Sequence, residues 1–308
     1  MFAYIVRKIL YTIPVLWGVV TVVFFVINIV PGDPVAIMTG QRGDEETLAK
    51  IRADMGLDLP LGQQYVRFLG QLCRGDLGTS YRNNEPVSSA IWTRLGATAR
   101  LAAGALFLGT VLGIAAGVLS AVKRYSVFDY GAMFVAIAGV SAPVFWVGLL
   151  LLLFFAYTLG WVPGVGYGDG SFKYLILPMI TLGIRPAALT ARLSRSCMLE
   201  VLSQDYVRTA RAKGLKRTAV VMKHALKNAM IPVVTVIGTQ ISSLLSGAVL
   251  TESIFAWPGI GRLSVDSLLA RDLPMIRGVV VFMAVTFLVV NLLVDISYAF
   301  LDPRIRYD

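Results

Sequence analysis

The chain has 308 residues, of which 56% are hydrophobic and only 15% are charged, and its mean hydropathy is +0.73. This composition excludes an ordinary soluble globular protein, in which about a quarter of the residues carry charge. The formal net charge of +10 is concentrated beside apolar stretches, where positive charge is expected of a membrane protein, so the composition does not favour nucleic-acid binding.

Six stretches of the sequence are apolar enough to cross a bilayer, which takes roughly 20 residues for about 30 Å of hydrocarbon. They lie near residues 9–30, 98–122, 128–158, 175–192, 231–251 and 276–300. We therefore predict an all-α integral membrane protein with six transmembrane helices. A signal peptide is a weaker interpretation of the first stretch, because the apolar run Ile9–Val30 is long and no small-residue cleavage site follows it.

The distribution of Lys and Arg between the short loops predicts the orientation of these helices. A cytoplasmic N-terminus places most of the basic residues of the short loops and termini in the cytoplasm, namely Arg7, Lys8, Lys123, Arg124, Arg304, Arg306 and the nine between Arg192 and Lys227. The short loop near 160–174 on the other side contains only Lys173. The sequence therefore predicts that both termini are cytoplasmic.

The longest segment outside the predicted helices covers residues 31–97, on the extracytoplasmic side. Turn residues delimit two predicted helices in it, Glu45–Met55 and Leu61–Cys73. The segment is too short for a separate globular domain. We therefore divide the chain into a first transmembrane part (1–30), a helical outer segment (31–97) and a five-helix transmembrane core (98–308) with a cytoplasmic loop at 193–230.

Polar residues at predicted membrane depth are rare and deserve individual interpretation. Asn28 and Asp295 lie near the ends of predicted helices, which favours an interfacial position, and Asn291 is a further candidate. Arg185 is deeper, and the sequence leaves open whether it lines a pathway or makes a structural pair.

Three glycines share one face of the second predicted transmembrane helix. Gly109, Gly113 and Gly117 recur at four-residue spacing, which permits close approach of a neighbouring helix. We expect this neighbour to belong to the same chain rather than to another subunit.

The sequence lacks the residue patterns of catalysis, of metal binding and of nucleotide binding. The single histidine, His224, has no partner at metal-ligand spacing, and Cys73 and Cys197 are predicted on opposite sides of the membrane. No lysine follows a glycine, which excludes a phosphate-binding P-loop. We therefore predict no catalytic residue, no metal and no cofactor bound by this chain. A passive pore or a pore driven by a separate motor is favoured over an ion-coupled carrier, whose helices would contain buried charges, and over a membrane enzyme.

A basic segment follows the fourth predicted transmembrane helix. It has nine Lys and Arg residues between Arg192 and Lys227 against two acidic residues, Glu200 and Asp205. We predict one helix over Leu199–Lys213, ended by a left-handed Gly214. A second helix then presents an apolar face of Met222, Leu226, Ala229, Met230 and Val233, and Pro232 begins the next span. Composition alone leaves two interpretations open, a surface that binds another protein and a loop that contacts lipid headgroups.

The residues Tyr206–Leu215, YVRTARAKGL, followed by His224–Pro232, HALKNAMIP, resemble the coupling loop of ABC-importer permeases. The general pattern of these permeases is Glu-Ala-Ala, three residues, Gly, nine residues, then Ile-x-Leu-Pro. In this chain Arg208-Thr209-Ala210 replaces Glu-Ala-Ala, Gly214 and Leu226 match, and His224 and Lys227 replace Ile and Pro. These departures resemble those of the dipeptide, oligopeptide and nickel permeases.

Further motifs extend the resemblance over essentially the whole chain, in order. They are Ile13–Leu16, Pro31–Pro34, Gly75–Ser80, Glu252–Phe255, Trp257–Gly261 and Arg271–Pro274. The large outer segment after the first span is similar to that of the B-type branch of the dipeptide permeases.

The resemblance implies a type I ABC-importer fold in the bacterial inner membrane, where the chain, surrounded by lipid, forms half of a translocation pore. It also implies a related second permease as heterodimer partner, two cytoplasmic ATPases that bind ATP and Mg, and an extracytoplasmic peptide-binding protein. Peptides are the implied substrates, with nickel chelates, glutathione or haem as alternatives.

The resemblance also implies two sets of contact residues. The residues expected to contact an ATPase are Asp205, Tyr206, Arg208, Thr209, Ala210, Arg211, Ala212, Lys213, Gly214 and Leu215. The candidates for contacts with a binding protein or a gate are Glu252, Trp257, Arg262 and Asp272.

Overall fold

The computed structural model describes residues 2–29, 45, 48–49, 52–53 and 56–301. These residues are almost entirely helical, and the β-pairing among them is one isolated antiparallel bridge between Thr79 and Pro86. The predicted all-α class is confirmed. The helices are α1 Phe2–Ile29, α2 Leu61–Cys73, α3 Val87–Val122, α4 Val127–Ser141, α5 Val144–Leu151, α6 Phe172–Leu202, α7 Asp205–Ala212, α8 Arg217–Ala219, α9 Leu226–Ile254, α10 Ile260–Leu269 and α11 Leu273–Leu301.

Five helical stretches are long and apolar enough to cross a membrane. They are Val6–Asn28, Val87–Val122, Phe172–Leu202, Arg217–Leu244 and Leu273–Ile296. A sixth crossing is reached if the bent pair Val127–Ser141 and Val144–Thr158 counts as one. The predicted number of six therefore depends on this pair.

The predicted span at 128–158 is wrong as a single straight helix, because its two halves are bent by 111°. The bend lies at Ala142, whose φ of −71° and ψ of 135° are extended. Pro143 follows, and its ring disfavours helical backbone at the residue before it. A π-helix over Leu152–Thr158 then continues from α5.

The chain divides into two compact units, residues 1–96 with 258–308, and residues 97–257. In the second unit, the glycine face of α3 packs directly on α6. A Cβ atom added at Gly113 would lie 2.6 Å from the Thr190 Cβ, and one at Gly117 would lie 2.5 Å from the Ala191 carbonyl oxygen. Gly109 is similarly crowded, 2.9 Å from Pro186 Cβ. The predicted close approach within the chain is confirmed.

In the first unit, α1 packs against α11 and against α2. Phe24 is fully buried, stacks on Phe68 of α2 and contacts the Tyr65 ring. The predicted helix Leu61–Cys73 is confirmed to the residue. The predicted helix Glu45–Met55 and the turn at 31–34 lie, largely or entirely, outside the described residues.

Candidate coupling site

The basic segment contains a separate short helix, α7, rather than one helix over Leu199–Lys213. Helix α6 ends at Leu202, and α7 begins at Asp205 after Gln204, whose φ of −70° and ψ of 150° are extended. Neither Ser203 nor Gln204 is a strong helix breaker, so the helix propensities of these residues do not indicate this break. The predicted continuous helix is therefore wrong.

Two apolar side chains anchor α7 to the protein. Val207 is 0% exposed and Ala210 is 6% exposed, and both pack with Val220 in one buried cluster, next to Val201 and Leu202. The burial of Ala210 corrects its prediction as an ATPase contact, because its methyl group points into the chain. Val207 was absent from the predicted set, although the three-residue spacing of these apolar residues marks one helix face.

The other nine predicted coupling residues are all exposed and form the outer surface of α7 and the turn after it. They are Asp205, Tyr206, Arg208, Thr209, Arg211, Ala212, Lys213, Gly214 and Leu215. Arg208 and Asp205 form an ion pair of 3.3 Å with side chains 74% and 95% exposed. Exposed pairs of this kind stabilise a fold by well under about 1 kcal/mol. The charges of this surface therefore remain available to a partner.

Gly214 ends this surface with a backbone that favours glycine. Its φ is +75°, in the left-handed region, as predicted. An added Cβ at this position would meet no atom within 4 Å. A larger residue at Gly214 would consequently disturb the backbone conformation and the outer surface, but not the core.

Two side-chain hydrogen bonds connect the coupling region to the ends of transmembrane helices. Asn228 of α9 donates from Nδ2 to the Tyr206 hydroxyl at 2.8 Å. Arg217 donates from Nη2 to the Val122 carbonyl, the last residue of α3, at 2.9 Å. A cleft beside α7 is lined by Ala121, Val122, Leu202, Arg211, Leu215, Arg217, Val220 and Val221. The Tyr206 hydroxyl therefore connects α7 directly to α9, whereas Arg217, on α8, connects the segment after Gly214 to α3.

The apolar face predicted after Gly214 is partly wrong. A π-helix over Val220–Ala225 adds a residue to the turn and rotates the following register. Met222 is consequently 59% exposed, whereas Ala225, Ala229 and Val233 are buried. Pro232 lies inside α9 rather than at its start.

A buried ion pair supports α6 ahead of the coupling region. Arg195 donates to Asp129 twice, from Nε at 2.6 Å and from Nη2 at 2.7 Å, and Asp129 is 1% exposed. The Asp129 amide also donates to Ser126 Oγ, which caps α4. Sequence reasoning missed Asp129, although a Ser three residues before an Asp is a recognisable helix-start signal.

Glu252 and Trp257, two of the predicted contact residues, are fully buried. The Thr98 hydroxyl donates to Glu252 Oε1 at 2.7 Å, and the Trp257 indole donates from Nε1 to the Ala97 carbonyl at 2.9 Å. The Tyr167 ring contacts Trp257 edge to face. Neither side chain reaches the surface of the chain, because they hold α3, α9 and the loop before α6 together. A role of either residue in a gate or a binding-protein contact stays a prediction.

The other two predicted contacts differ from each other. Asp272 is buried, accepts hydrogen bonds from the Ser80 hydroxyl and the Tyr81 amide, and caps the start of α11. It therefore holds the outer segment rather than a partner. Arg262 is partly exposed and pairs with Asp266 at 3.5 Å, so a contact with a partner stays a prediction for this residue.

A cleft in the first unit brings two arginines together. Arg67 and Arg277 line it with Gln64, Gln71, Tyr81 and Asn84, and neither arginine pairs with a carboxylate among the described residues. Arg277 donates to Asn28 Oδ1 at 2.9 Å and lies over the rings of Phe24 and Phe68. Burial raises the pKa of the Tyr81 phenol, and the guanidinium of Arg277 opposes this rise.

The structure gives each of the four predicted membrane-depth residues a distinct setting. Asn28 accepts from Arg277, Asp295 forms an ion pair with Lys8, and Asn291 is half-buried on α11. Arg185 is exposed on α6. Asn28, Asn291 and Asp295 belong to the first unit, and Arg185 belongs to the second. No group of three or more His, Cys, Asp or Glu side chains that could hold a metal ion occurs among the residues described.

Two family models together match nearly the whole chain. Residues 109–307 match the binding-protein-dependent transport system inner membrane component, and residues 1–102 match the N-terminal part of the membrane component of such systems.

Full-length relatives agree with these family matches. The chain is 42% identical to the dipeptide transport system permease protein DppB of Alkalihalophilus pseudofirmus, with 100% of both chains covered. It is 41% identical to the glutathione transport system permease protein GsiC of Escherichia coli O6:H1, again over 100% of both chains.

Solved structures show the same fold at much lower identity. A structure of the MetNI methionine ABC transporter in inward-facing conformations superimposes with a TM-score of 0.58 at 17% identity, covering 68% of this chain and 95% of the other. The likeness supports the fold alone. From the family models and the full-length relatives, the chain belongs to the inner-membrane permease components of binding-protein-dependent ABC transport systems.

Proposed function

We propose that the chain is the pore-forming permease subunit of an ATP-driven importer of dipeptides and short oligopeptides. The observation that carries this proposal is 42% identity over full length to a dipeptide permease. The identity of 41% to a glutathione permease favours a second candidate substrate, which is itself a small peptide. Competition between labelled dipeptide and unlabelled glutathione during uptake would distinguish the two.

The energy for import comes, in this proposal, from two partner ATPases that bind ATP and Mg. The exposed surface of α7 supports this assignment, because it carries charged side chains on a short helix that is anchored by Val207, Ala210 and the hydrogen bond between Tyr206 and Asn228. ATP-driven closure of the ATPases would displace α7. The Tyr206 hydroxyl would pass that displacement to α9, and Arg217 of α8, which follows the turn at Gly214, would connect the same segment to α3.

A related second permease completes the pore, and an extracytoplasmic binding protein delivers the substrate. The outer segment of the first unit is a candidate seat for this binding protein. Its cleft contains Arg67 and Arg277, and in the same unit Leu268 and Leu269, at the end of α10, are 62% and 80% exposed. These features suit a partner with acidic and apolar surface groups. In the same proposal, both termini and the coupling site face the cytoplasm.

The test of the coupling assignment is Gly214→Asp. A Cβ atom at this position meets no atom within 4 Å, so the permease should insert and fold, while the disturbed turn should abolish ATP-driven uptake of a labelled dipeptide. Gly214→Asn is the matched control, because asparagine tolerates the left-handed conformation better than most residues. It should retain more uptake than the aspartate variant. Normal uptake by Gly214→Asp would refute the coupling role.

A further inference from the structure

Arg185 is the single charged residue between Lys173 and Arg192, in the middle of a transmembrane helix. At a rise of about 1.5 Å per residue, it lies about 15 Å from Leu175 and about 10 Å from Arg192, the ends of the predicted span. The Arg185 backbone therefore lies at membrane depth rather than at a headgroup boundary.

The Arg185 side chain is exposed on the chain, and it forms no hydrogen bond or ion pair with the residues that the structure describes. An arginine facing lipid at the centre of a helix is unfavourable by about 2.5–3.5 kcal/mol or more. The interior of the described fold offers it no counter-charge. Its surroundings in the assembled transporter must therefore be water or another polar group rather than hydrocarbon.

The packing of α6 shows where this side chain leaves the helix. Thr181, four residues before Arg185, packs against Gly148 of the bent pair. Leu182, three residues before it, belongs to one buried cluster with Leu244 and Ala248 of α9. Residues three and four apart are neighbours on a helix surface. The Arg185 side chain therefore leaves α6 between two rows of residues on this helix. One row packs on the bent pair, and the other packs on α9.

Helix α9 independently carries a polar line on its exposed surface. Thr235, Thr239 and Ser243 follow one another at four-residue spacing and are all exposed. Each hydroxyl donates to a carbonyl of its own helix, at 3.2, 2.8 and 2.8 Å respectively. A polar line of this kind suits a water-filled path better than a lipid surface.

We propose that Arg185 is a carboxylate-binding residue of the translocation pathway, which holds the C-terminal carboxylate of a peptide while it passes. This inference rests on the proposed peptide-import function. The planar guanidinium binds a carboxylate through two parallel hydrogen bonds. Because a single cation offers only one such contact, the binding is transient, as passage requires.

The experiment uses the complete transporter, with its ATPases and binding protein, in proteoliposomes. Uptake of a free dipeptide is compared with uptake of the same dipeptide amidated at its C-terminus, for wild type, Arg185→Gln and Arg185→Lys. The ratio of mutant to wild type for each substrate cancels the selectivity of the binding protein. Arg185→Gln should lower uptake of the free peptide about tenfold, as expected for loss of a charge-assisted bond, and that of the amide less than twofold.

Arg185→Lys retains the positive charge but lacks the planar group that makes two parallel hydrogen bonds. It should therefore give an intermediate loss of uptake for the free peptide. Lys173→Gln is the matched control, because it removes an exposed cation near the start of the same helix and should affect both substrates equally. An equal change of both substrates in Arg185→Gln, or no change of either, would overturn the inference. If the wild type imports neither peptide, the proposed function itself fails.

A second measurement does not depend on transport rates. Arg185→Cys, in a background without Cys73 and Cys197, is treated with a membrane-impermeant thiol reagent. A pathway residue should react in the assembled complex and be protected by free peptide but not by the amide. Absence of reaction would overturn the inference, because it would place the residue in lipid or in a dry interface.

Discussion

Two segments of the second unit carry the most conspicuous motifs of the chain, and they differ in how far their side chains are buried. Asp205–Leu215 is exposed along nearly its whole length and is held by Val207 and Ala210. Glu252–Trp257 is mostly buried, and its two terminal side chains bond to Thr98 and to the Ala97 carbonyl.

This difference separates two reasons why a family motif exists. The first segment exposes charge whose pairing within the chain is weak, which leaves it free to contact a partner. The second segment uses its polar atoms internally and connects three parts of one unit. The resemblance implied contacts for both segments; the exposure of the first suits a contact with a partner, whereas the Glu252 and Trp257 side chains are buried. Changes in Glu252–Trp257 should therefore affect stability, and changes on the α7 surface should affect coupling.

The largest stability effect is expected at Trp257. Trp257→Ala removes a fully buried ring and should lower the free energy of unfolding by about 3–5 kcal/mol. Trp257→Phe keeps most of the ring and loses the hydrogen bond to Ala97, with an expected loss of about 1 kcal/mol for that bond. The fraction of purified complex that remains monodisperse after heating measures both. An unchanged melting temperature for the alanine variant would show that this segment is not the internal support inferred.

An intermediate effect is expected at Asp129, which would show whether support of α6 is needed for coupling. Asp129→Asn leaves Arg195 without its carboxylate and should destabilise the permease by about 3 kcal/mol. Ser126→Ala removes only the helix cap and should lower stability by about 1 kcal/mol. Thermal unfolding in detergent measures these losses. Equal losses of stability in Asp129→Asn and Ser126→Ala would contradict a stabilising role of the ion pair between Asp129 and Arg195.

The smallest stability effect is expected within α7 itself. Val207→Ala weakens the main anchor and should loosen the helix by about 2 kcal/mol. Thr209→Ala, on the exposed face, is the control. Trypsin cleavage after Arg208, Arg211 or Lys213 in the permease without ATPases should accelerate in the valine variant only. Equal cleavage of both variants would mean that Val207 does not anchor the helix.

The sequence predicted elements whose signals are local. Leu61–Cys73 followed from its flanking turn residues, and the glycine face of α3 followed from four-residue spacing. Gly214 adopts the predicted left-handed conformation at the end of the helix, because glycine suits that conformation better than any other residue. These features depend on backbone geometry that a few neighbouring residues determine.

The errors arose where packing overrides local preference. The break at Ser203 and Gln204 has no glycine or proline, and it allows Val207 to reach Val220. The π-helix at Val220–Ala225 shifts the face on which Met222 was placed, since regular 3.6-residue periodicity cannot represent an added residue. The burial of Glu252 depends on Thr98, which is distant in sequence. Periodicity contains no information about such contacts.

The most direct measurement is photocrosslinking from the exposed face of α7 in the purified complex. A photoreactive amino acid at Arg211 should crosslink to an ATPase subunit, whereas the same amino acid at Lys173, an exposed basic residue at the other end of α6, should not. Both substitutions lie on the surface and should change stability by less than about 0.5 kcal/mol. Crosslinks to the ATPase from Arg211 alone would establish α7 as the coupling helix. Their absence from Arg211, or their equal presence at Lys173, would contradict it.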